Sequence, residues 1–216
     1  MATGSSWVQP TENSVEALLH GMSHVDGVEL DLRLSTDGEL MLWHDELFTG
    51  NLPKKSRCPE LMESQEIREM GVDSFDDLLQ CKEFTTLWQS SSKTVNIELK
   101  VPHPVAKISD HANHLAKMIS KIDSSLVELD LPKRSTMIYG FSPKISEAVK
   151  ISQTKIPNTQ LSPHLRSWGK GKMKRLIGSP NFISNTVSGL VKDRRRKGMP
   201  VVGMALHYLH GWERFV

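Results

Sequence analysis

Short stretches of alternating apolar and polar residues recur along the chain, and most are followed by apolar residues at helical spacing. The alternation has the two-residue period of a strand with one buried face, whereas the spacing i, i+3, i+4 and i+7 is that of an amphipathic helix. Strands are predicted around 28–34, 40–43, 94–101, 136–141, 158–161 and 201–206, and helices around 14–23, 60–70, 74–84, 105–122, 143–154 and 186–197. Strand and helix therefore alternate, which favours a parallel α/β fold, either a (β/α)8 barrel or a doubly wound sheet.

The first strand and the next one are predicted to form a β-hairpin. Residues 35–38 separate the two strands and contain an Asp-Gly pair, which can supply the positive φ angles of a tight turn. The return strand Leu40–Trp43 is followed directly by His44. Because the two arms of a hairpin fold against each other, His44 is expected to return toward the level of Glu29 and Asp31.

The helices carry further polar residues whose positions can be predicted. Asn13 and Glu16 have the spacing of a capping box, so the first helix is expected to begin there. Three histidines follow the strand at 94–101. Of these, His103 is expected near the end of the strand, and His111 and His114 on the surface of the next helix.

Length and composition narrow the class of protein. The chain has 216 residues, enough for one α/β barrel of about 200–250 residues, so a single domain over 1–216 is expected. No apolar run approaches the roughly 20 residues that span a bilayer, and the polar start lacks the apolar segment of a signal peptide. Cys58 and Cys81 are too few for a disulfide scaffold. These features predict a cytoplasmic protein without a transmembrane segment.

The net charge of +2 conceals opposite charges in the two halves of the chain. Residues 1–108 contain 9 Lys or Arg and 18 Asp or Glu, whereas residues 109–216 contain 18 and 7. These charges have two interpretations. They either lie on solvated helix faces, or the basic half attracts an anionic substrate or makes a peripheral contact with a membrane surface. The basic run Arg194–Lys197 has no aromatic platform or binding motif beside it, so no nucleic-acid partner is predicted.

The strand pattern also collects chemically active side chains. Barrel enzymes carry functional residues at the C-terminal ends of strands, so Glu29, Asp31 and Glu98 are expected to meet at one rim. Crowded carboxylates repel each other unless a cation neutralises them, and oxygen ligands suit Mg²⁺ or Ca²⁺. Lys100 lies on the same face as Glu98 and could bind a phosphate oxygen, and His44 could transfer a proton near neutral pH.

Each of these residues also has a simpler interpretation. A Glu-x-Asp pair on a strand is common at surfaces and in structural ion pairs. Glu98 and Lys100 could form a plain salt bridge, and His44 could be an ordinary loop histidine. Only their order along the chain and their context favour a common site.

The combined pattern resembles the glycerophosphodiester phosphodiesterase family. That family has a Glu-Asn-(Thr/Ser) helix cap, a Gly-Ala-Asp-x-(Ile/Val)-Glu-x-Asp strand, a Lys-Asp-Gly turn, a His-Asp pair, an Asn-Ile-Glu-x-Lys strand and a later strand end containing Ser-Phe. The similar segments here are Glu12-Asn13-Ser14, Val25-Asp26-Gly27-Val28-Glu29-Leu30-Asp31, Thr36-Asp37-Gly38, His44-Asp45, Asn96-Ile97-Glu98-Leu99-Lys100 and Gly140-Phe141-Ser142.

This resemblance implies a TIM (β/α)8 barrel that hydrolyses a small-molecule glycerophosphodiester to an alcohol and glycerol 3-phosphate. It implies that Glu29, Asp31 and Glu98 hold a divalent cation, Mg²⁺ or Ca²⁺, as cofactor. His44 would be the acid/base group at the leaving oxygen, and Lys100 would help to hold the phosphate. The resemblance leaves the alcohol and the oligomeric state open.

The two ends of the chain depart from the family pattern. The first strand of the family carries His-Arg-Gly, where this chain has Met1-Ala2-Thr3-Gly4, and no final Gly-x-Asp-Gly-Ile-type strand occurs before Val216. Strands 1 and 8 adjoin in a closed barrel, so the barrel is expected to be incomplete there. Two hypotheses for these gaps are a chain truncated at both ends and an intact chain with impaired catalysis. The alternative to an enzyme is a non-catalytic barrel that binds a divalent metal or a phosphodiester as an interaction module.

Overall fold

The structure is a computed structural model that describes residues 8–90 and 93–160. Its helices are α1 (Val15–His24), α2 (Ser64–Glu69), α3 (Phe75–Gln80), α4 (Lys82–Trp88), α5 (His111–Leu126) and α6 (Ile145–Ser152). Its strands are β1 (Gly27–Leu34), β2 (Leu40–Leu42), β3 (Thr94–Leu99), β4 (Thr136–Gly140) and β5 (Asn158–Gln160). The chain divides into two compact units, Met1–Thr159 and Gln160–Val216, and these elements belong to the first, with β5 at its boundary.

Within the described residues the strands form one sheet in the order β2-β1-β3-β4-β5. β1 and β3 are parallel, as are β3 and β4, and helices provide the crossovers that parallel strands require. β2 returns antiparallel to β1, which confirms the predicted hairpin. Only Gly38 of the Asp-Gly pair has a positive φ, 87°. The predicted alternation of strand and helix is therefore confirmed over this part of the chain.

The apolar face of the sheet packs against helices and forms the main core. Leu30 and Ile97 of the sheet are fully buried in one cluster with Leu115 and Ile119 of α5. Burying a side chain of this size contributes about 1.5–3 kcal/mol to the free energy of unfolding. The polar residues of the same strands lie on the opposite face, because successive side chains of a strand alternate between faces. The helices thus hold the sheet from one side and leave the other for a polar site.

Two helix predictions differ from the structure. The predicted helix 74–84 is two helices, α3 and α4, because Cys81 between them has an extended backbone with ψ 94°. The predicted helix 105–122 begins at His111 instead. Lys107 adopts a left-handed conformation with φ 56°, through which a right-handed helix cannot continue.

Several predictions lie outside the described residues. They are the strand 201–206, the helix 186–197 and the basic run Arg194–Lys197. The single domain over 1–216 stays a prediction, as does the cytoplasmic location. Among the helices of the described segments, none is both long and apolar enough to cross a bilayer.

His114 is buried, and its predicted surface position was wrong. Only 7% of the residue is exposed, and its buried Nε2 has no hydrogen-bond partner. The buried surface of α5 is wider than the apolar stripe that predicted this helix, because it also includes Ala116 and Met118. The residues of that stripe are Val105, Ile108, Ala112, Leu115, Ile119 and Ile122. Burial lowers the pKa of His114, and the charge of Glu60 offsets only part of this effect.

This burial predicts a pH-dependent stability. As the pH falls through about 6.5, the unfolded chain binds a proton at His114 that the folded protein does not bind. The free energy of unfolding should therefore decrease, by at most about 1.4 kcal/mol per pH unit, until the folded residue is protonated as well. Urea unfolding between pH 7.5 and 5 should show a smaller decrease in His114→Gln than in the wild type. His111→Gln, on the same helix, is the control, and an unchanged slope in His114→Gln would contradict the assignment.

Candidate active site

The strand register brings the predicted acidic residues together. Asp31 of β1 is the register partner of Glu98 of β3, and Glu98 is the partner of Tyr139 of β4. Glu29 lies two residues before Asp31, opposite Asn96. Side chains two residues apart share a face, and neighbouring strands are about 4.8 Å apart, so these groups must converge. Carboxylate oxygens of Glu29, Asp31 and Glu98 lie within 4.8 Å of one another.

Lys100 supplies a positive charge to this cluster. Its Nζ lies 2.8 Å from Asp31 Oδ1 and 2.7 Å from Glu98 Oε1, and its side chain is 12% exposed. Burial lowers the pKa of Lys100, but the two carboxylates more than offset this effect and leave the pKa raised. Lys100 is therefore an ammonium ion, and the simple salt bridge considered for Glu98 is one part of a larger charge cluster.

Tyr139 is a site residue that the sequence did not reveal. Its hydroxyl donates a hydrogen bond of 2.6 Å to Glu29 Oε1. Burial and the neighbouring Glu29 raise the pKa of Tyr139, so it stays a proton donor. Tyr139 shares its face of β4 with Met137, and all five residues of this strand are buried, so no alternation of polar residues marks it in the sequence. Only the register with β3 brings it to the carboxylates.

The carboxylates are held in a setting that disfavours their negative charge. Glu29 is exposed as a residue, yet protein atoms surround its carboxylate, and this partial burial with the charge of Asp31 raises its pKa to about 7. Burial also raises the pKa of Glu98, and Lys100 offsets only part of the effect. Asp31 Oδ1 is buried and accepts no well-aligned hydrogen bond, although Lys100 Nζ is close. Lys100 is a single positive charge among three carboxylates, so the cluster keeps an excess of negative charge. Such a group of carboxylates fits a hard divalent cation, Mg²⁺ or Ca²⁺.

Asn13 holds the backbone of Asp31. It was predicted to cap α1, but the cap is Ser14, whose hydroxyl accepts from the Ala17 N–H at 3.1 Å. Asn13 itself is left-handed, with φ 58°, a conformation that Asn tolerates better than most residues. Its Nδ2 donates to the Asp31 carbonyl at 2.9 Å, and its Oδ1 accepts from the Asp31 N–H at 3.1 Å. The start of α1 is thereby tied to the acidic cluster.

His44 lies in a cleft of about 250 Å³ that Glu98 and Lys100 also line. The hairpin therefore brings His44 back toward the acidic residues, as predicted. Its Nδ1 is 2.8 Å from Asp45 Oδ1, and its side chain is 58% exposed. This contact occupies Nδ1 and leaves Nε2 as the ring atom for proton transfer with a bound molecule.

The sequence profile of the glycerophosphoryl diester phosphodiesterase family matches residues 3–203. The chain belongs to this family. No curated protein matches it significantly. Members of the glycerophosphoryl diester phosphodiesterase family are phosphoric diester hydrolases, the class of enzyme that the sequence predicted.

Solved structures agree with the glycerophosphoryl diester phosphodiesterase fold. A glycerophosphodiester phosphodiesterase from Parabacteroides distasonis matches with a TM-score of 0.59 and 16% identity, over 90% of this chain and 77% of that one. A phosphodiesterase from Oleispira antarctica, solved in complex with the product sn-glycerol-3-phosphate, matches with a TM-score of 0.53 and 16% identity, over 77% and 67%. The predicted TIM-barrel fold class is thus confirmed, and the five-stranded sheet of the described residues is an incomplete part of such a barrel.

This family member is short beside several relatives. It spans 64%, 59% and 63% of the length of the matching chains from Thermotoga maritima, Agrobacterium tumefaciens and Silicibacter pomeroyi. Activity, substrate and cofactor therefore rest on the residues that converge in the described part of the chain.

Proposed function

We propose that this protein hydrolyses glycerophosphodiesters to an alcohol and glycerol 3-phosphate, with Mg²⁺ or Ca²⁺ as cofactor. The observation that carries the proposal is the convergence of Glu29, Asp31, Glu98 and Lys100 on adjacent parallel strands, in a chain that belongs to this family. The product complex of the Oleispira antarctica relative supports a phosphodiester of glycerol as substrate.

Glu29, Asp31 and Glu98 would hold the divalent cation. When bound, the cation would supply Lewis-acid stabilisation of charge on the phosphoryl oxygens. The Tyr139 hydroxyl would orient Glu29 through its hydrogen bond to Oε1. The bound cation would neutralise the carboxylates that contact Lys100 in the cation-free protein. The Lys100 ammonium could then donate a hydrogen bond to a phosphate oxygen of the substrate.

His44 would protonate the leaving alcohol. Hydrolysis breaks the bond from phosphorus to the alcohol oxygen, and water supplies the new oxygen on phosphorus. The departing alkoxide needs a proton, which the imidazolium of His44 can donate from Nε2. The attacking water loses one proton in the same reaction, and this proton returns the imidazole to its charged form. Asp45 would keep the ring oriented and stabilise its charged form through the contact with Nδ1.

The test is turnover of glycerophosphocholine by the purified 216-residue chain, with Mg²⁺ or Ca²⁺ and with both chelated. The wild type should form choline and glycerol 3-phosphate only when a cation is present. His44→Ala should lower kcat by at least about 100-fold, the contribution expected of a general acid. Glu29→Ala should show no cation-dependent turnover.

The result that overturns the proposal is a wild type that forms no more product than Glu29→Ala. In that case, protection of the wild type against unfolding by the cation would favour the non-catalytic binding module. A fully active wild type would instead contradict the hypothesis of impaired catalysis.

A further inference from the structure

Arg33 is a buried cation beside the site that no step of the proposed reaction uses. It follows Asp31 by two residues on the same face of β1, and only 2% of it is exposed. Its Nε and Nη2 donate to the His44 carbonyl at 3.3 and 3.1 Å. Its Nη1 donates to the Val101 carbonyl at 3.1 Å and to Glu60 Oε1 at 2.8 Å. The guanidinium is thus committed to the protein rather than to a ligand.

The partner of Arg33 is an equally buried acid. The Glu60 side chain is fully buried, and its second oxygen accepts a hydrogen bond of 3.0 Å from the Cys58 thiol. Taking two charges out of water costs free energy, and apolar replacements of such pairs are often neutral or stabilising. The presence of the pair is therefore better explained by the geometry that it imposes than by a contribution to the free energy of unfolding.

The two carbonyls that Arg33 binds belong to two different loops of the site. His44 follows the end of β2 by two residues, and Val101 follows the end of β3 by two residues, next to Lys100. Neither carbonyl has its place fixed by strand pairing, because both lie beyond the paired residues. Arg33 holds them through a planar group, which binds two carbonyls with less freedom than an ammonium would.

We propose that Arg33 is a positioning residue for His44. It fixes the backbone at the His44 carbonyl and so places the imidazole at the leaving oxygen, while Glu60 holds the guanidinium in its orientation. This inference rests on the proposed function, in which His44 is the general acid. Displacing such a group by about 1 Å can cost about 100-fold in rate.

The test compares two substrates that differ in their need for an acid. Glycerophosphocholine has an alcohol leaving group that must be protonated, whereas the p-nitrophenyl ester of glycerol 3-phosphate releases a stable phenolate. Arg33→Met should lower kcat on glycerophosphocholine by about 100-fold and leave kcat on the nitrophenyl ester nearly unchanged. Arg33→Lys should not restore the first rate, because one ammonium does not reproduce the fork of donors.

The chain offers a matched control in Arg57. This arginine also binds two backbone carbonyls, that of Leu52 through Nε at 2.8 Å and that of Phe48 through Nη1 at 2.6 Å. It ends the short 3-10 helix Lys54–Arg57 after β2, and it is not among the residues that line the cleft of His44. Arg57→Met should keep the ratio of the two rates. If Arg33→Met fails to fold, Arg33→Met/Glu60→Gln avoids the unpaired buried charge.

A double-mutant comparison separates positioning from general damage. Arg33→Met/His44→Ala should be no slower on glycerophosphocholine than His44→Ala alone, because both changes remove the same step. Independent, multiplicative losses would overturn the inference, as would equal losses of kcat on both substrates. The affinity for Ca²⁺ measured by calorimetry should be unchanged in Arg33→Met.

A readout without turnover distinguishes this inference from the proposed function. The Trp43 amide, next to His44, donates to the Asp31 carbonyl at 3.2 Å, and its hydrogen exchange should become faster in Arg33→Met and not in Arg57→Met. Unchanged exchange would overturn the positioning role even in an active enzyme. Faster exchange in a protein whose wild type lacks turnover would instead leave the position of His44 assigned and the proposed function refuted.

Discussion

Glu98→Gln is expected to abolish binding of the divalent cation and to lower kcat by on the order of 1,000-fold. A thousandfold loss corresponds to about 4 kcal/mol of transition-state stabilisation, within the range that a bound cation supplies. The amide keeps the size of the side chain and can still accept the hydrogen bond from Lys100, so the fold should persist. Glu98 lies between Asp31 and Tyr139 in the register, and replacing it removes the central ligand of the cluster.

Calorimetry with Ca²⁺ and turnover of glycerophosphocholine measure the two effects of Glu98→Gln. Glu39→Gln is the matched control, because Glu39 pairs with Lys121 and is not part of the acidic cluster. A Glu98→Gln variant that binds Ca²⁺ as tightly as the wild type would contradict the assignment of Glu98 as a ligand.

Lys100→Met is expected to lower the free energy of unfolding of the cation-free protein by about 3–5 kcal/mol. The substitution leaves the buried carboxylates of Asp31 and Glu98 without their counter-charge, and breaking a buried pair from one side costs about this much. The effect should be largest at pH 8, because the pKa of Glu29 is raised to about 7 and all three carboxylates then repel each other. The same variant should gain more stability from added Mg²⁺ or Ca²⁺ than the wild type, since the cation replaces the missing charge.

Urea unfolding at pH 8, first with a chelator and then with a saturating cation, tests this expectation. Lys121→Met is the control, because Lys121 and Glu39 are about 30% exposed and such a pair contributes less than about 1 kcal/mol. Equal losses of stability in Lys100→Met and Lys121→Met would contradict the role of Lys100 as the counter-charge. Equal stabilisation of Lys100→Met and the wild type by the cation would show that the cation does not bind the carboxylates that Lys100 contacts.

The acidic face of the site followed from local rules. The two-residue period of β1 and β3 places Glu29, Asp31 and Glu98 on one face without knowledge of the fold. The Asp-Gly turn predicted the hairpin that returns His44 to the same region. Both inferences succeeded because strand alternation and turn chemistry act over a few residues.

The boundaries of the helices were harder to predict from the sequence than the acidic face. A left-handed residue at Lys107 delays α5, and the extended Cys81 splits a predicted helix into α3 and α4. Neither residue type forces these backbone angles, which depend on the packing of the segments around them. For the same reason the burial of His114 could not be read from the apolar stripe, because the neighbours of α5 determine how much of its surface is covered.

By itself the sequence determined the fold class, the family and the identity of the acidic residues, because periodicity and short motifs record them directly. Only the tertiary structure decided how that cluster is held. The register of β4 brings Tyr139 to Glu29, the left-handed Asn13 binds the backbone of Asp31, and the buried Arg33 joins two loops that are distant in sequence. These contacts link residues up to 110 positions apart. Their partners are backbone groups and strand neighbours, which no local pattern of residue types specifies.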